Sequence, residues 1–166
     1  VTDTATRREL LLVTCAATPL RRIGELVDLL HAARWQVTVL ATPTAASWPF
    51  LAGVAERTGR PVLHRMPRPD EPWPDLAPDA VLVAPATFNT LNKWATGVND
   101  NLAVGLLNEY LGGTVPIVAA VHVKPALAAH PAFAAHLDLL RTAGVRLTDP
   151  AQPFTWQAAL DLLPAH

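Results

Sequence analysis

The chain has 166 residues, 51% of them hydrophobic and 16% charged, which fits one domain with a substantial core. With a formal net charge of -1 and no Lys/Arg cluster long enough to track a phosphate backbone, nucleic-acid binding is not expected. Apolar runs such as Ala80 to Ala86 are too short to cross a bilayer, and one cysteine, Cys15, excludes an intrachain disulfide and a cysteine-rich zinc site.

Residues 1 to 8 are polar and are expected to fray. Leu10 to Thr14 is a nearly continuous apolar run, as in a strand covered on both faces. Ile23, Leu26, Val27 and Leu30 then form one helical stripe, and Val37 to Ala41 is a second strand. Ser47 to Ala55 reads as a helix with Trp48, Leu51 and Val54 inward, and Pro61 to His64 as a short third strand. Several of the 16 prolines cluster between Pro61 and Pro78, which excludes a long helix there and predicts a rigid surface excursion. Ala80 to Ala84 is the clearest buried strand, and Thr90 to Ala95 begins a helix that Gly97 interrupts. A further helix runs from about Asn101 to Leu111, with Ala103, Leu106, Leu107 and Tyr110 on its stripe and Gly112 and Gly113 at its end. Pro116 to Val121 is a strand, Ala126 to Thr142 is mostly helical, Val145 to Leu147 is a short last strand, and Thr155 to Leu163 is a closing helix.

Apolar strands that alternate with helices predict an α/β fold: a single domain, residues 1–166, with a doubly wound parallel sheet and helices on both faces. Ligands of such sheets bind beyond the carboxyl ends of the strands, near the switch in strand order. Those ends deliver Thr14-Cys15-Ala16-Ala17-Thr18, Thr42-Pro43-Thr44, Pro85-Ala86-Thr87-Phe88-Asn89-Thr90, and His122-Val123-Lys124. Small residues let a ligand approach the backbone, and hydroxyls beside helix N-termini hold phosphate. The same Thr and Asn residues also suit simple helix capping, and the two roles are compatible.

The stretch VLVAPATFNTLNKWATGVNDNL resembles the family of homo-oligomeric flavin-containing cysteine decarboxylases. That family includes phosphopantothenoylcysteine decarboxylases and enzymes acting on the C-terminal cysteines of lantibiotic-type peptides. Its signature, Pro-Ala-Ser-Ala-Asn-Thr followed by Lys, Gly and Asp-Asn-Leu, is matched by Pro85, Ala86, Asn89, Thr90, Lys93, Gly97, Asp100, Asn101 and Leu102. Thr87 stands for the Ser and Phe88 for the small Ala. A looser likeness extends from about Leu10 to Leu147. The resemblance implies a Rossmann-like flavoprotein fold with FMN at a subunit interface of a trimer or trimer-built dodecamer. It implies flavin contacts from Cys15, Ala16, Ala17, Thr42, Thr44, Thr87, Phe88, Asn89, Thr90 and His122.

Four further positions depart from the family. Cys15 and Ala16 replace a Gly-Ser pair in the first loop, which removes a hydroxyl. The active-site His expected fourteen residues before the signature Pro is replaced by Glu71, and no His lies between His64 and His122. Lys124 replaces the Asn of the family's Pro-x-Met-Asn motif. The chemistry needs a base or acid and a carboxylate-binding group, so Glu71, Lys124 and Asn89 are the catalytic candidates. No cysteine follows Cys15, whereas phosphopantothenoylcysteine decarboxylases use one in a late flap; a peptide substrate is expected instead.

The expected activity is oxidative decarboxylation of a peptide's C-terminal cysteine. Two alternatives stand beside it: an FMN-dependent redox or electron-transfer protein without decarboxylase activity, and a catalytically inactive flavin-binding subunit. No metal site is expected, because His122, His130 and His136 do not share a metal spacing. No charged leader followed by an apolar segment is visible, so a cytoplasmic location without a membrane partner is expected.

Overall fold

Strands and helices alternate through the computed structural model, which describes residues 7–165. Residues 1–6 of the stretch expected to fray lie outside the described residues. The strands are β1 (Arg8–Thr14), β2 (Trp35–Ala41), β3 (Ala80–Ala86), β4 (Ile117–Val121) and β5 (Arg146–Leu147). They form a parallel sheet in the order β2-β1-β3-β4-β5. The order reverses between β1 and β3, so the switch point lies where their carboxyl ends diverge. In register, Thr14 stands beside Ala41, Val13 beside Val83 and Ala86 beside Val121, so four strands end at one edge.

Alternate residues of each strand feed two cores, one on each face. Leu10, Leu12, Leu82 and Val118 pack on α1 (Ile23–Ala32) and α8 (Trp156–Leu160). Leu11, Val81, Val83 and Ala119 pack on α4 (Phe88–Ala95), α5 (Leu102–Leu111) and α7 (Phe133–Thr142). Every residue of β3 is buried, which explains why its run is apolar without alternation. No helix among the described residues is long and apolar enough to cross a membrane.

Three expected elements differ. Pro61 to His64 is not a ladder strand; only Leu63 bridges to β2, donating its N–H to Val39 and accepting from Ala41. The flanking prolines limit what such a segment can donate. The helix expected over Ser47 to Ala55 is three short pieces: α2 (Pro43–Ser47), a 3-10 turn (Pro49–Leu51) and α3 (Val54–Thr58). Trp48 is held extended by the following Pro49, and Gly53 takes a left-handed φ of 78°, so a continuous helix is blocked twice. The helix expected over Ala126 to Thr142 divides into α6 (Pro125–Ala128) and α7, with Pro131 between them.

Candidate functional site

A cavity of about 650 Å³ opens beyond the carboxyl ends of β1, β2, β3 and β4. Its size falls in the range of about 300–1,000 Å³ usual for small-molecule clefts. The turn after β1 contributes Ala16, Ala17 and Thr18, and the turn after β2 contributes Thr42, Pro43, Thr44 and Trp48. The turn after β3 supplies Thr87, Phe88, Asn89 and Thr90, and the turn after β4 supplies His122, Val123 and Lys124. Lys93, Asp100, Asn101 and Leu127 complete the wall.

Two of these hydroxyls are helix caps. Thr42 Oγ1 accepts the Ala45 N–H at 3.3 Å and Thr87 Oγ1 accepts the Thr90 N–H at 3.4 Å. Accepting a bond leaves the Thr42 hydroxyl proton free to be donated, so a capping threonine can also bind an anion, whereas the Thr87 hydroxyl is also engaged by the Cys15 thiol. Capping and exposure to the cavity are therefore combined in the same residues. Ala16 and Ala17 keep the first turn narrow, and backbone approach is open there.

The loop behind the cavity is tightly braced. Lys93 Nζ donates to Asp100 Oδ2 at 2.7 Å, and that bond holds the Asp100 carboxyl below its ordinary range. Asn101 caps α5 by accepting the Val104 N–H at 3.1 Å, and its amide donates to Asp100 Oδ1 at 3.2 Å. Asn108 donates to the Val98 carbonyl at 3.0 Å. Trp94, 1% exposed, donates its indole N–H to the Leu107 carbonyl at 3.0 Å and locks α4 to α5. Phe88, the large residue in the small signature position, turns its ring toward His130 and Phe133 while still lining the cavity.

His122 lies at the end of β4 with its ring edge-on to Phe154, the centroids 5.1 Å apart. Burial lowers its pKa from the ordinary value, which favours the neutral imidazole. Among the described residues Lys124 has no carboxylate partner, and its ammonium stands at the cavity wall.

Of the residues singled out from sequence, Ala16, Ala17, Thr42, Thr44, Thr87, Phe88, Asn89, Thr90, His122 and Lys124 come together here. Cys15 does not line the cavity: its thiol is buried, donates to Thr90 Oγ1 at 3.3 Å, and is pushed up in pKa by burial. The enclosed thiol packs behind the site. Glu71 also lies apart. Its carboxylate accepts two bonds from the Arg65 guanidinium, at 2.7 and 2.9 Å, and one from the Arg68 N–H at 2.9 Å. These bonds hold its pKa at about 2. An ionised, paired carboxylate outside the cavity does not fit the base role that position-counting suggested. Trp48 and Leu127 were missed, because they belong to segments read as helix, and Thr18 was placed at the β1 end without a role. Lys93, Asp100 and Asn101 were visible in the signature but had no assigned place until the loop folded back.

The flavoprotein family profile matches residues 1–162. The chain belongs to the flavoprotein family. A cysteine/cysteine sulfinic acid decarboxylase from an unknown prokaryotic organism is 37% identical over 78 residues, covering 47% of this chain and 20% of that protein. The chain thus spans one fifth of the length of this relative. Among solved structures, the FMN-dependent cysteine decarboxylase SpaF superposes with a TM-score of 0.78 at 21% identity, covering 93% of each chain. MrsD from Bacillus sp. HIL-Y85/54728 superposes with a TM-score of 0.77 at 17% identity, covering 93% of this chain and 94% of the other. At these identities the superpositions establish a shared fold.

Proposed function

We propose that this flavoprotein binds FMN in the strand-end cavity and oxidatively decarboxylates the C-terminal cysteine of a peptide. The observation that carries the reading is the convergence of four turns on one cavity at the β1/β3 switch point, with donors of the kind a phosphorylated flavin needs. The cavity residues fit such a group. Thr42 keeps a hydroxyl proton to donate, Ala16 and Ala17 allow close backbone approach, and Trp48, Phe88 and Leu127 give apolar wall for a ring system. Family membership and the likeness to a cysteine decarboxylase fold support the same reading.

FMN, when bound, supplies the two-electron acceptor that oxidation of a cysteine side chain requires. The chain's own residues bind and orient the substrate. Lys124 holds a carboxylate as a point charge, and the Asn89 amide adds a directional donor. The neutral His122 imidazole accepts the thiol proton, the role that Glu71 cannot fill from its place outside the cavity. The Lys93–Asp100 pair keeps the loop behind Asn89 in position. A homo-oligomer, trimer or dodecamer, in the cytoplasm completes the proposal.

Purified protein loaded with FMN and incubated with Cys-terminated peptides should remove the mass of CO₂ and two hydrogens. No loss across a broad peptide panel would sink the decarboxylase reading. A preparation that does not retain FMN after reconstitution would sink the cofactor assignment. A second reading, a flavin redox protein without decarboxylase activity, is favoured by the position of Glu71. NAD(P)H-driven bleaching of the flavin band without peptide turnover would establish it.

A further inference from the structure

The helix that carries Asn89 is braced on two sides. Toward α5 it is held by the Trp94 indole on the Leu107 carbonyl and by Lys93 on Asp100. Toward α7 it is held by a single face. Phe88 and Asn92 lie four residues apart on α4, and Phe133 and His136 lie three apart on α7, so each pair projects from one side of its helix. The Phe88 and Phe133 rings stand 5.4 Å apart at 39°. His136 Nδ1 donates to Asn92 Oδ1 at 2.7 Å; an amide oxygen only accepts, so the ring proton sits on Nδ1. Among the described residues this is the one side-chain hydrogen bond between α4 and α7.

From α7 a series of local bonds leads back to the cavity. The Lys124 carbonyl accepts from the Leu127 and Ala128 N–H groups, both at 2.9 Å. The Leu127 carbonyl accepts from the His130 N–H at 3.0 Å, and the His130 carbonyl from the Phe133 N–H at 2.9 Å. His130 Nδ1 accepts the Ala132 N–H at 3.1 Å, and its ring lies 5.8 Å from that of Phe88. Lys124, which precedes α6, and Asn89, in the first turn of α4, thus belong to two braced pieces that the α4–α7 contact joins. Ring packing sets how close the pieces lie, but apolar attraction is non-directional. The His136–Asn92 bond tolerates little error in distance or angle, so it sets how far one piece slides or turns on the other. Neither side chain lines the cavity, and Asn92 is not one of the matched signature residues.

We propose that Asn92 and His136 are positioning residues: their bond sets the separation of Asn89 and Lys124, so that amide and ammonium together grip one carboxylate. The inference rests on the reading that the cavity takes a substrate carboxylate, and the test separates the two. In a well-oriented site a misplacement of about 1 Å costs on the order of 100-fold. Loss of this bond therefore acts on the ligand more than on the fold.

The FMN-loaded full chain is titrated with a Cys-terminated peptide and with the same peptide as its C-terminal amide, and turnover of the acid is followed alongside. The variants are Asn92→Ala, His136→Phe, which keeps a ring, their double, and Asn92→Asp, which keeps an acceptor. The parent should bind the acid at least about tenfold tighter than the amide. Asn92→Ala and His136→Phe should each lose most of that preference, and the double variant no more than either alone. Asn92→Asp should keep it, and flavin absorbance should be unchanged throughout. If His136→Phe does not fold, Asn92→Ala, at a half-buried helix position, decides the case. Full preference in the single variants, whatever their urea midpoints, overturns the positioning role and leaves the carboxylate reading intact. Additive losses in the double variant, or equal loss in Asn92→Asp and Asn92→Ala, overturn it likewise. Preference in the parent without turnover removes the decarboxylase reading alone, and the titration of the variants still decides the pair. No preference in the parent overturns both.

Discussion

The α4–α5 segment that follows β3 and the Pro-rich excursion before that strand are near in sequence and opposite in construction. Between Thr87 and Asn108 nearly every polar side chain has a local duty: Thr87 and Asn101 cap helices, Lys93 pairs with Asp100, Asn108 holds Val98, and Trp94 reaches Leu107. Residues 64–79 contain no helix or strand, and Glu71 is tied to Arg65 and Arg68 within the same stretch. Met66 and Trp73 stand 40% and 59% exposed there. A motif whose residues bond to one another carries its geometry with it. A position found by counting residues through prolines does not.

The contrast breaks first at its two tryptophans. Trp94→Ala should lower unfolding stability by about 3–5 kcal/mol, because it empties a core site and removes the indole bond to the Leu107 carbonyl. Trp73→Ala should stay within about 0.5 kcal/mol. Urea titration of both variants checks this, and a large loss at Trp73 would mean that the excursion is packed against something in solution.

Asn89→Ala should lower kcat/KM toward a Cys-terminated peptide by about 100-fold while flavin absorbance is retained. A colourless variant would move Asn89 from substrate handling to cofactor retention. Asn101→Ala, which removes the α5 cap and a bond to Asp100, should cost about 1 kcal/mol in thermal or urea unfolding.

The smallest effect is expected at Glu71. Glu71→Gln should leave turnover and its pH profile unchanged, since the parent carboxylate lies outside the cavity. The profile itself should rise with pH as His122 deprotonates, with its midpoint below the ordinary imidazole value. The sign for stability follows from the lowered Glu71 pKa. Its contribution is present above the ordinary carboxylate range and is lost as pH falls through about 2, so parent and variant should converge there. A shifted rate profile in Glu71→Gln would return that carboxylate to the mechanism.

Much of the architecture was legible because it depends on short-range pattern. Apolar runs at Leu10–Thr14 and Ala80–Ala84 mark strands covered on both faces, and Ile23, Leu26, Val27 and Leu30 mark a buried helix face. The helix over Ser47 to Ala55 was misread because apolar spacing outweighed Pro49 and Gly53, and backbone restriction decides there. The small and hydroxyl residues of the cavity could be named because each directly follows a strand. Trp48 and Leu127 could not, since nothing local distinguishes a residue that lines a cavity from one that packs a core.

By itself the chain's order of residues determined the parallel α/β sheet, the signature turn after β3 and the family likeness, all of which rest on patterns within a few residues or on contiguous matches. Only the folded arrangement decided that Cys15 is enclosed, that Glu71 stands away from the cavity, and that His136 of α7 meets Asn92 of α4. Those facts depend on contacts between segments far apart in the chain, and side-chain burial and pairing there are set by packing that no local spacing encodes.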